Sequence, residues 1–550
     1  MHEALKAMTA VTVQVRITLA FLLATVALGL VACDNAPAPG GTSQATPGPA
    51  AFSILATSDL RDAEALAGMI QQATGVKARF VFGGTMESAD KVINGKADAD
   101  AAWFANAKYV LSDPAGQARV KMQEKIMLSP LVIGVSQSDA QRLGWTGDAR
   151  VTWRAIAEAA QAGRLRYAMS NPASSNQGFM ALMGVAAAFA DKPEALTLAD
   201  VRKDRVREFL AGYKLVGDNS TYLSERFIEQ QGAEINAFIN YESWLLSLNQ
   251  SGKLREPLTL IYPHEGVATA DYPLLLLNDT RRADYGKIVD YLKGAEAQRW
   301  LAEKTLRRPL NPEVARQTAS LFPSGRLLVE LPFTADRAVA DALLDAYMNQ
   351  FRTPIASVFV LDVSGSMNEA SRRQGLVESL RFLAGGDDSI TGRLARLASR
   401  ERVVMLPFST TVLSRQPFVI PTDDQAKAQT FAQIRHYADA LRMEGRTRLY
   451  DAALAALQFL AEEKAESPGY LYSVVLFTDG QSNEGLDLAG FNQAYRQLPA
   501  AARNIPVFVI LYGEGNVKEL EEVATLTRGK TFDARKVRLP TVFREIRAYQ

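Results

Sequence analysis

The densest set of hard oxygen donors in the sequence is Asp362-Val363-Ser364-Gly365-Ser366. Its alternation can project the carboxylate and both hydroxyls the same way, while Gly365 permits a tight turn. Two further clusters come later in the chain, Thr447 within Gly445-Arg446-Thr447-Arg448-Leu449-Tyr450-Asp451 and then Thr478-Asp479-Gly480. Asp362, Ser364, Ser366, Thr447 and Asp479 together offer two carboxylates and three hydroxyls. Mg²⁺, or Mn²⁺ or Ca²⁺, accepts oxygen ligands of this kind and completes its shell with water or a partner's carboxylate. The chemistry this supplies is binding. A metal can also activate water for hydrolysis, but that needs a nearby base. Glu369 and Glu484 are close in sequence and read more simply as solvated surface carboxylates.

These clusters need strands to hold them. Ile355–Leu361 is almost purely apolar, and Arg402–Phe408, Tyr472–Phe477 and Pro506–Leu511 are similar. Helical patterns at Gln425–Arg442, Leu449–Lys464 and Val517–Leu526 lie between them. Apolar strands of this kind are buried on both faces, as in a doubly wound sheet, where ligands bind beyond the carboxyl ends of the strands. The polar clusters fall at such ends or at a helix start. Asp-x-Ser-x-Ser after the first strand, then a threonine, then Thr-Asp-Gly after a central strand resembles the von Willebrand factor A domain and its metal-ion-dependent adhesion site. The resemblance covers about residues 354–550 and implies a Rossmann-like fold. It also implies metal contacts from Ser364, Ser366 and Thr447, with Asp362 and Asp479 acting partly through water. The open coordination position would take a carboxylate from a protein partner.

Upstream, strand candidates at Phe52–Ala56, Lys77–Phe82, Pro130–Val135 and Leu258–Tyr262 alternate with helical stretches at Ala63–Thr74, Ala181–Ala190 and Tyr285–Lys304. The pattern predicts an α/β region with largely parallel sheets, large enough for two lobes. Several segments resemble two-lobed periplasmic solute-binding proteins over roughly residues 51–345. They include Thr57-Ser58-Asp59, Gly83-Gly84-Thr85, the run from Asn94 to Trp103, the run from Ser129 to Val135, the loop from Ser170 to Gly178, Asn240-Tyr241-Glu242-Ser243-Trp244, and the run from Ile261 to Gly266. Loops rich in Ser, Thr and Gly present hydroxyls and free N–H groups at helix starts, which suit a small polar or anionic solute. The expected contacts are Ser58, Thr85, Trp103, Ser174, Ser175 and Glu242. The same residue types also serve as helix caps, and a tryptophan also serves as core.

Cys33 is the single cysteine, so no internal disulfide is available. It comes after Lys6, Arg16 and an apolar run from Ile17 to Ala32 that is too short to span a bilayer. Leu30-Val31-Ala32-Cys33 resembles a bacterial lipobox, which implies a signal with lipobox (1–33) cleaved before Cys33, lipidation of Cys33 as the mature N-terminus and a membrane anchor. Asp34 resembles a signal for inner-membrane retention. Residues 34–50 carry four prolines and three glycines and read as a tether.

Lysine and arginine total 61 against 60 acidic residues, a net charge of +1, which gives no attraction to nucleic acid. Of three histidines, neither His264 nor His436 sits in a zinc-protease pattern, and no Gly-x-Ser-x-Gly elbow occurs. The expectation is a non-enzymatic, periplasm-facing envelope lipoprotein with a solute-binding-like region (51–345) and a metal-dependent binding domain (354–550). The alternatives are a transporter's solute receptor with an accessory scaffold, and a metal-dependent hydrolase.

Overall fold

The computed structural model describes residues 51–550 except 191–195, 218, 324–327, 333–335, 481, 514, 537–538 and 550. The signal, lipidated Cys33 and tether expected for residues 1–50 lie outside the described residues. Among the described residues, no helix is long and apolar enough to cross a membrane.

Two sheets build the first part of the chain. One holds β1 (Phe52–Thr57), β2 (Ala78–Gly83), β3 (Ala101–Trp103), β4 (Met122–Lys125) and the later strand β11 (Pro273–Leu276), in the order β2-β1-β3-β11-β4. The other holds β5 (Met127–Ser136), β6 (Tyr167–Ser170), β7 (Tyr213–Gly217), β8 (Ala237–Tyr241), β9 (Leu258–Ile261), β10 (Thr269–Ala270) and β12 (Arg308–Pro309). Its path is β10-β5-β8-β6-β7, with β9 and β12 also on β5. These sheets are the cores of two lobes.

Both sheets are mixed rather than largely parallel. β1 runs parallel to β2 and β3, but β11 is antiparallel to β3 and β4. β5 is antiparallel to β8, β9, β10 and β12. The cause is the path of the chain. It crosses between lobes at residue 126, at 271–272 and at 306–307, and a strand arriving from the other lobe enters its sheet from the opposite end. Two crossing residues, Tyr272 and Leu306, hold φ of 41° and 54°. Such left-handed backbone costs a residue with a side chain about 1–2 kcal/mol, so the surrounding packing must impose it. The expected helix Tyr285–Lys304 is two helices, Arg282–Lys293 and Ala295–Thr305, because Gly294 takes an extended conformation between them.

The C-terminal sheet matches the sequence pattern closely. β13 (Ile355–Asp362), β14 (Arg402–Phe408), β15 (Gln416–Val419), β16 (Leu471–Thr478), β17 (Val507–Leu511) and β18 (Lys530–Asp533) lie in the order β15-β14-β13-β16-β17-β18. All neighbours are parallel except the β14–β15 pair. Successive side chains on a strand point to opposite faces. Phe359 and Leu361 therefore join Val475 and Phe477 in one core, while Val358 and Val360 join Val474 and Leu476 in the other. Each such side chain contributes about 1.5–3 kcal/mol relative to exposure. The chain leaves β13 for β14 on one side and later returns to β16 on the other. That reversal opens a crevice at the carboxyl ends of β13 and β16.

Five helices pack where the lobes and the C-terminal domain meet: α1 (Thr85–Ile93), α2 (Asn176–Ala188), α3 (Arg337–Ala346), α4 (Ile390–Ala395) and α5 (Leu539–Tyr549). α2 is buried nearly all round, as its run of small and apolar residues requires. The stretch after α3 is no loose linker: Tyr347, Met348 and Phe351 are buried in the same core as the two lobes.

Candidate functional site

Between the lobes lies a set of buried donors that have no acceptor among the described residues. The atoms are Thr57 Oγ1, Ser88 Oγ, Asn106 Nδ2, Ser170 Oγ, Asn176 Nδ2, Tyr241 Oη, Tyr272 Oη and Arg307 Nε. Thr57, Ser170 and Tyr241 end β1, β6 and β8, Asn176 starts α2, and Tyr272 and Arg307 sit on two of the crossings. A buried polar group without a partner costs about 1–3 kcal/mol, so a concentration of them points to a ligand or ordered water.

Several of these groups meet. The Tyr241 and Tyr272 rings are 6.2 Å apart, and the Arg307 guanidinium lies 4.9 Å from the Tyr272 ring centre. Tyr241 also faces Asp59, Arg307 and Asn176. Arg307 donates to the Asp62 carboxylate and to the Asp59 carbonyl, both at 2.6 Å, which fixes its plane and leaves Nε. Burial works against its charge, but the Asp62 carboxylate that accepts from it keeps it cationic. Burial also pushes the Tyr272 hydroxyl up to about 12 and Tyr241 well above its ordinary range, so both stay protonated donors at neutral pH.

The six expected contacts are placed unevenly around this set. Trp103 is fully buried and its indole N–H donates to the Tyr272 carbonyl at 2.9 Å. Glu242 is fully buried too, held by Arg308 at 2.6 and 2.7 Å and by the Tyr262 hydroxyl. Ser175 caps α2 by accepting the Gln177 N–H, and Ser174 donates to the Asn171 carbonyl. Thr85 is buried at the first position of α1, whereas Ser58 is exposed at the start of a 3-10 turn. Asn176 and Tyr241 stand inside segments the sequence singles out. Tyr272 and Arg307 belong to no motif.

The second site lies in the C-terminal crevice. Asp362 closes β13; its Oδ1 accepts the Ser364 N–H at 3.0 Å and hydroxyl at 2.6 Å, and its Oδ2 accepts the Thr478 hydroxyl at 2.7 Å. The Ser364 and Ser366 hydroxyls are 3.1 Å apart. The Gly365 N–H donates to the Gly445 carbonyl at 2.9 Å, which sets the Thr447 loop against the serines. Asn483, past Asp479, holds Thr447 from the other side by accepting its N–H at 2.8 Å. Gly480 has φ of 97°, and a Cβ there would stand 2.6 Å from the Gly515 Cα, so Thr-Asp-Gly admits no other third residue cheaply. Asp362, Ser364, Thr447 and Asp479 are buried while Ser366 is exposed, leaving one open side.

Burial pushes the Asp362 carboxyl up to about 6, against the hydrogen bonds from Ser364 and Thr478 that hold it down, and Asp479 adds to the rise. Two carboxylates with hydroxyls in a buried crevice fit a hard divalent cation. Among the described residues no group of three His, Cys, Asp or Glu side chains converges as metal ligands would, in this crevice or outside it, so hydroxyls make up the rest of the donor set here. The pattern gives no warning of Arg372. Its guanidinium donates to Asp479 at 3.0 Å and to the Ser366 carbonyl at 3.3 Å.

Comparison with known proteins agrees with this division. Residues 53–305 match the family model for bacterial extracellular solute-binding proteins, and residues 358–545 match that for the von Willebrand factor type A domain. Among solved structures, the sulfate-binding protein SubI from Mycobacterium tuberculosis H37Rv is 18% identical, with a TM-score of 0.39, over 52% of this chain and 96% of its own. A ferric binding protein from Campylobacter jejuni is 10% identical, with a TM-score of 0.42, over 54% and 98%. The fructose-6-phosphate-bound AfuA from Actinobacillus pleuropneumoniae is 14% identical, with a TM-score of 0.40, over 55% and 98%. No curated protein matches the chain. The chain thus carries a solute-binding-type region followed by a von Willebrand factor type A domain, both binding modules by type.

Proposed function

We propose that this chain is an envelope protein, anchored through lipidated Cys33 and facing the periplasm, that takes a small acceptor-rich solute between its lobes and holds a protein partner through its C-terminal domain. The observation that carries the solute half is the buried donor set around Tyr241, Tyr272, Asn176 and Arg307. A cation with neutral donors suits an anion, and the nearby Asp59 suits one that also carries a proton or hydroxyl. Asp362, Ser364, Ser366, Thr447 and Asp479 would hold Mg²⁺, or Mn²⁺ or Ca²⁺, whose open position binds a carboxylate of the partner. Nucleic acid has no part in this reading, and no catalytic role is assigned.

Calorimetric titration with sulfate, phosphate and hydroxylated carboxylates tests the solute half. Micromolar binding of one of them, lost in Arg307→Ala, is expected; equal binding by wild type and Arg307→Ala would sink it. Capture of a membrane protein in Mg²⁺, lost in EDTA and in Asp362→Ala, is expected for the partner half. Capture that ignores EDTA removes the metal from it.

Arg372 favours a second reading, in which the C-terminal domain is a scaffold and Arg372 permanently supplies the positive charge that Asp479 needs. Mg²⁺ that fails to raise the melting temperature at millimolar concentration would decide for the scaffold.

A further inference from the structure

The C-terminal domain touches both lobes. On the first lobe, α4 packs against α1, and Leu394 of α4 lies against the core of the lobes. Arg393 of α4 pairs with Asp341 of α3 at 3.8 Å, and Asp341 also accepts the hydroxyl of Tyr109 from the first lobe at 2.9 Å. On the second lobe, α5 packs against β7, and the Tyr549 ring meets Tyr222 edge-on at 4.6 Å. Asn171 donates to the Arg547 carbonyl at 3.3 Å.

The two attachments are not independent. α4 and α5 pack on each other, and the Arg547 guanidinium reaches the carbonyl of Arg396, just past the end of α4. Glu401, fully enclosed, binds both Arg547 and Arg352 and so ties α5 to the segment entering β13. First lobe, α4, α5 and second lobe form a closed circuit. The lobes also meet directly where Tyr109 packs edge-on against Phe179 of α2 at 5.4 Å. Hinge opening moves one lobe relative to the other, so it cannot proceed with both attachments intact.

Part of the attachment on the second lobe is made by the loop that carries the cleft donors. Asn171 lies between Ser170 and Asn176, two of the buried donors, and its Oδ1 also accepts the Ala173 N–H at 2.9 Å. One side chain thus shapes the loop that faces the solute and contacts α5.

We propose that the C-terminal domain is a clamp on the solute cleft, so that opening of the lobes and release of α4 or α5 are one linked step. Solute held between the lobes favours the docked domain, and a partner that pulls the domain away speeds solute exchange, because linkage is reciprocal. This rests on the interlobe donors being the solute site. α1, which starts at Thr85 and carries Ser88, is the element α4 covers, so both walls of the cleft report to the same clamp.

Pulsed electron-spin distance measurement on the full chain tests it without knowledge of the solute. With Cys33→Ser, labels at Gln72→Cys on the first lobe and Gln161→Cys on the second read the separation between lobes. Wild type is expected to give one narrow distance. Leu394→Glu with Tyr222→Ala is expected to add a longer one and to raise the sulfate or phosphate off-rate about tenfold. Asn171→Ala, a milder change, should give the same shift in part and guards against simple misfolding of the double variant. A variant that melts as wild type does and keeps the single narrow distance overturns the clamp. So does a wild type already spread over both distances. If the lobes separate in the variant but neither anion closes them, the clamp stands and the solute assignment fails.

Discussion

The interlobe site is built from donors that lack acceptors, whereas the crevice at β13 is built from acceptors the chain already satisfies in part. Around Tyr272 the unpaired buried atoms are hydroxyls, the Asn176 amide nitrogen and the Arg307 Nε, while the other guanidinium nitrogens are held by Asp62 and the Asp59 carbonyl. Around Asp362 both carboxylate oxygens accept a hydroxyl or N–H, and Arg372 sits on Asp479. The first arrangement costs stability until an acceptor arrives. The second costs little while empty of partners and asks a cation to displace an existing contact. Ligand dependence should therefore be steep in the lobes and shallow in the C-terminal domain.

Arg307→Ala breaks the comparison hardest. It removes the buried cation, strands Asp62 and leaves two tyrosine hydroxyls facing a gap. Loss of charged hydrogen bonds of this kind costs about 2–3 kcal/mol, so solute affinity should fall about a hundredfold. Urea unfolding with and without sulfate or phosphate separates the stability loss from the binding loss. Asp362→Ala comes next. It should abolish any Mg²⁺-dependent rise in melting temperature and leave solute affinity within about twofold, since the partners of its carboxylate, Ser364 and Thr478, lie in its own domain. Coupled loss of both would mean the two sites are one system.

The two sites also differ in how far the sequence reveals them. At β13 three of the five proposed metal ligands, Asp362, Ser364 and Ser366, are packed into a five-residue stretch at a strand end, and the apolar strands around it alternate cleanly between two cores. Motif and scaffold reinforce each other, so the α/β doubly wound architecture is readable from pattern alone. In the lobes, Asn176, Tyr241, Tyr272 and Arg307 are brought together by crossings of the chain that no local pattern records. Trp103 shows the converse. It ends a motif-like run and is one of the expected solute contacts, and its indole N–H donates to the Tyr272 carbonyl inside the first lobe. The mixed sheets escape a sequence reading for the same reason: antiparallel pairing at β5 and β11 depends on where the chain crosses, and strand composition does not encode that.

Arg372→Ala sharpens the comparison from the C-terminal side. The Arg372 side chain is 21% exposed and its pair with Asp479 is partly screened, so the contact contributes about 1 kcal/mol. A divalent cation should then bind about fivefold more tightly in the variant, read as a lower midpoint in a Mg²⁺ titration of melting temperature. Unchanged affinity would mean that Arg372 leaves Asp479 at no cost.

Trp103→Phe should have the smallest effect on binding and bears most directly on which residues line the cleft. The ring stacks on Phe80 at 6.0 Å and lies wholly inside the first lobe, and phenylalanine keeps most of that packing. What is lost is one buried hydrogen bond, worth about 1 kcal/mol of folding stability. Its acceptor is the carbonyl of Tyr272, whose hydroxyl is one of the cleft donors. If the left-handed backbone of Tyr272 is held by the surrounding crossing, the variant melts lower but binds solute as wild type does. If Trp103 is what holds Tyr272 in place, affinity falls with stability, and the indole has a positioning role in the cleft without touching solute. Titration of the variant with sulfate or phosphate, set beside its unfolding curve, distinguishes the two.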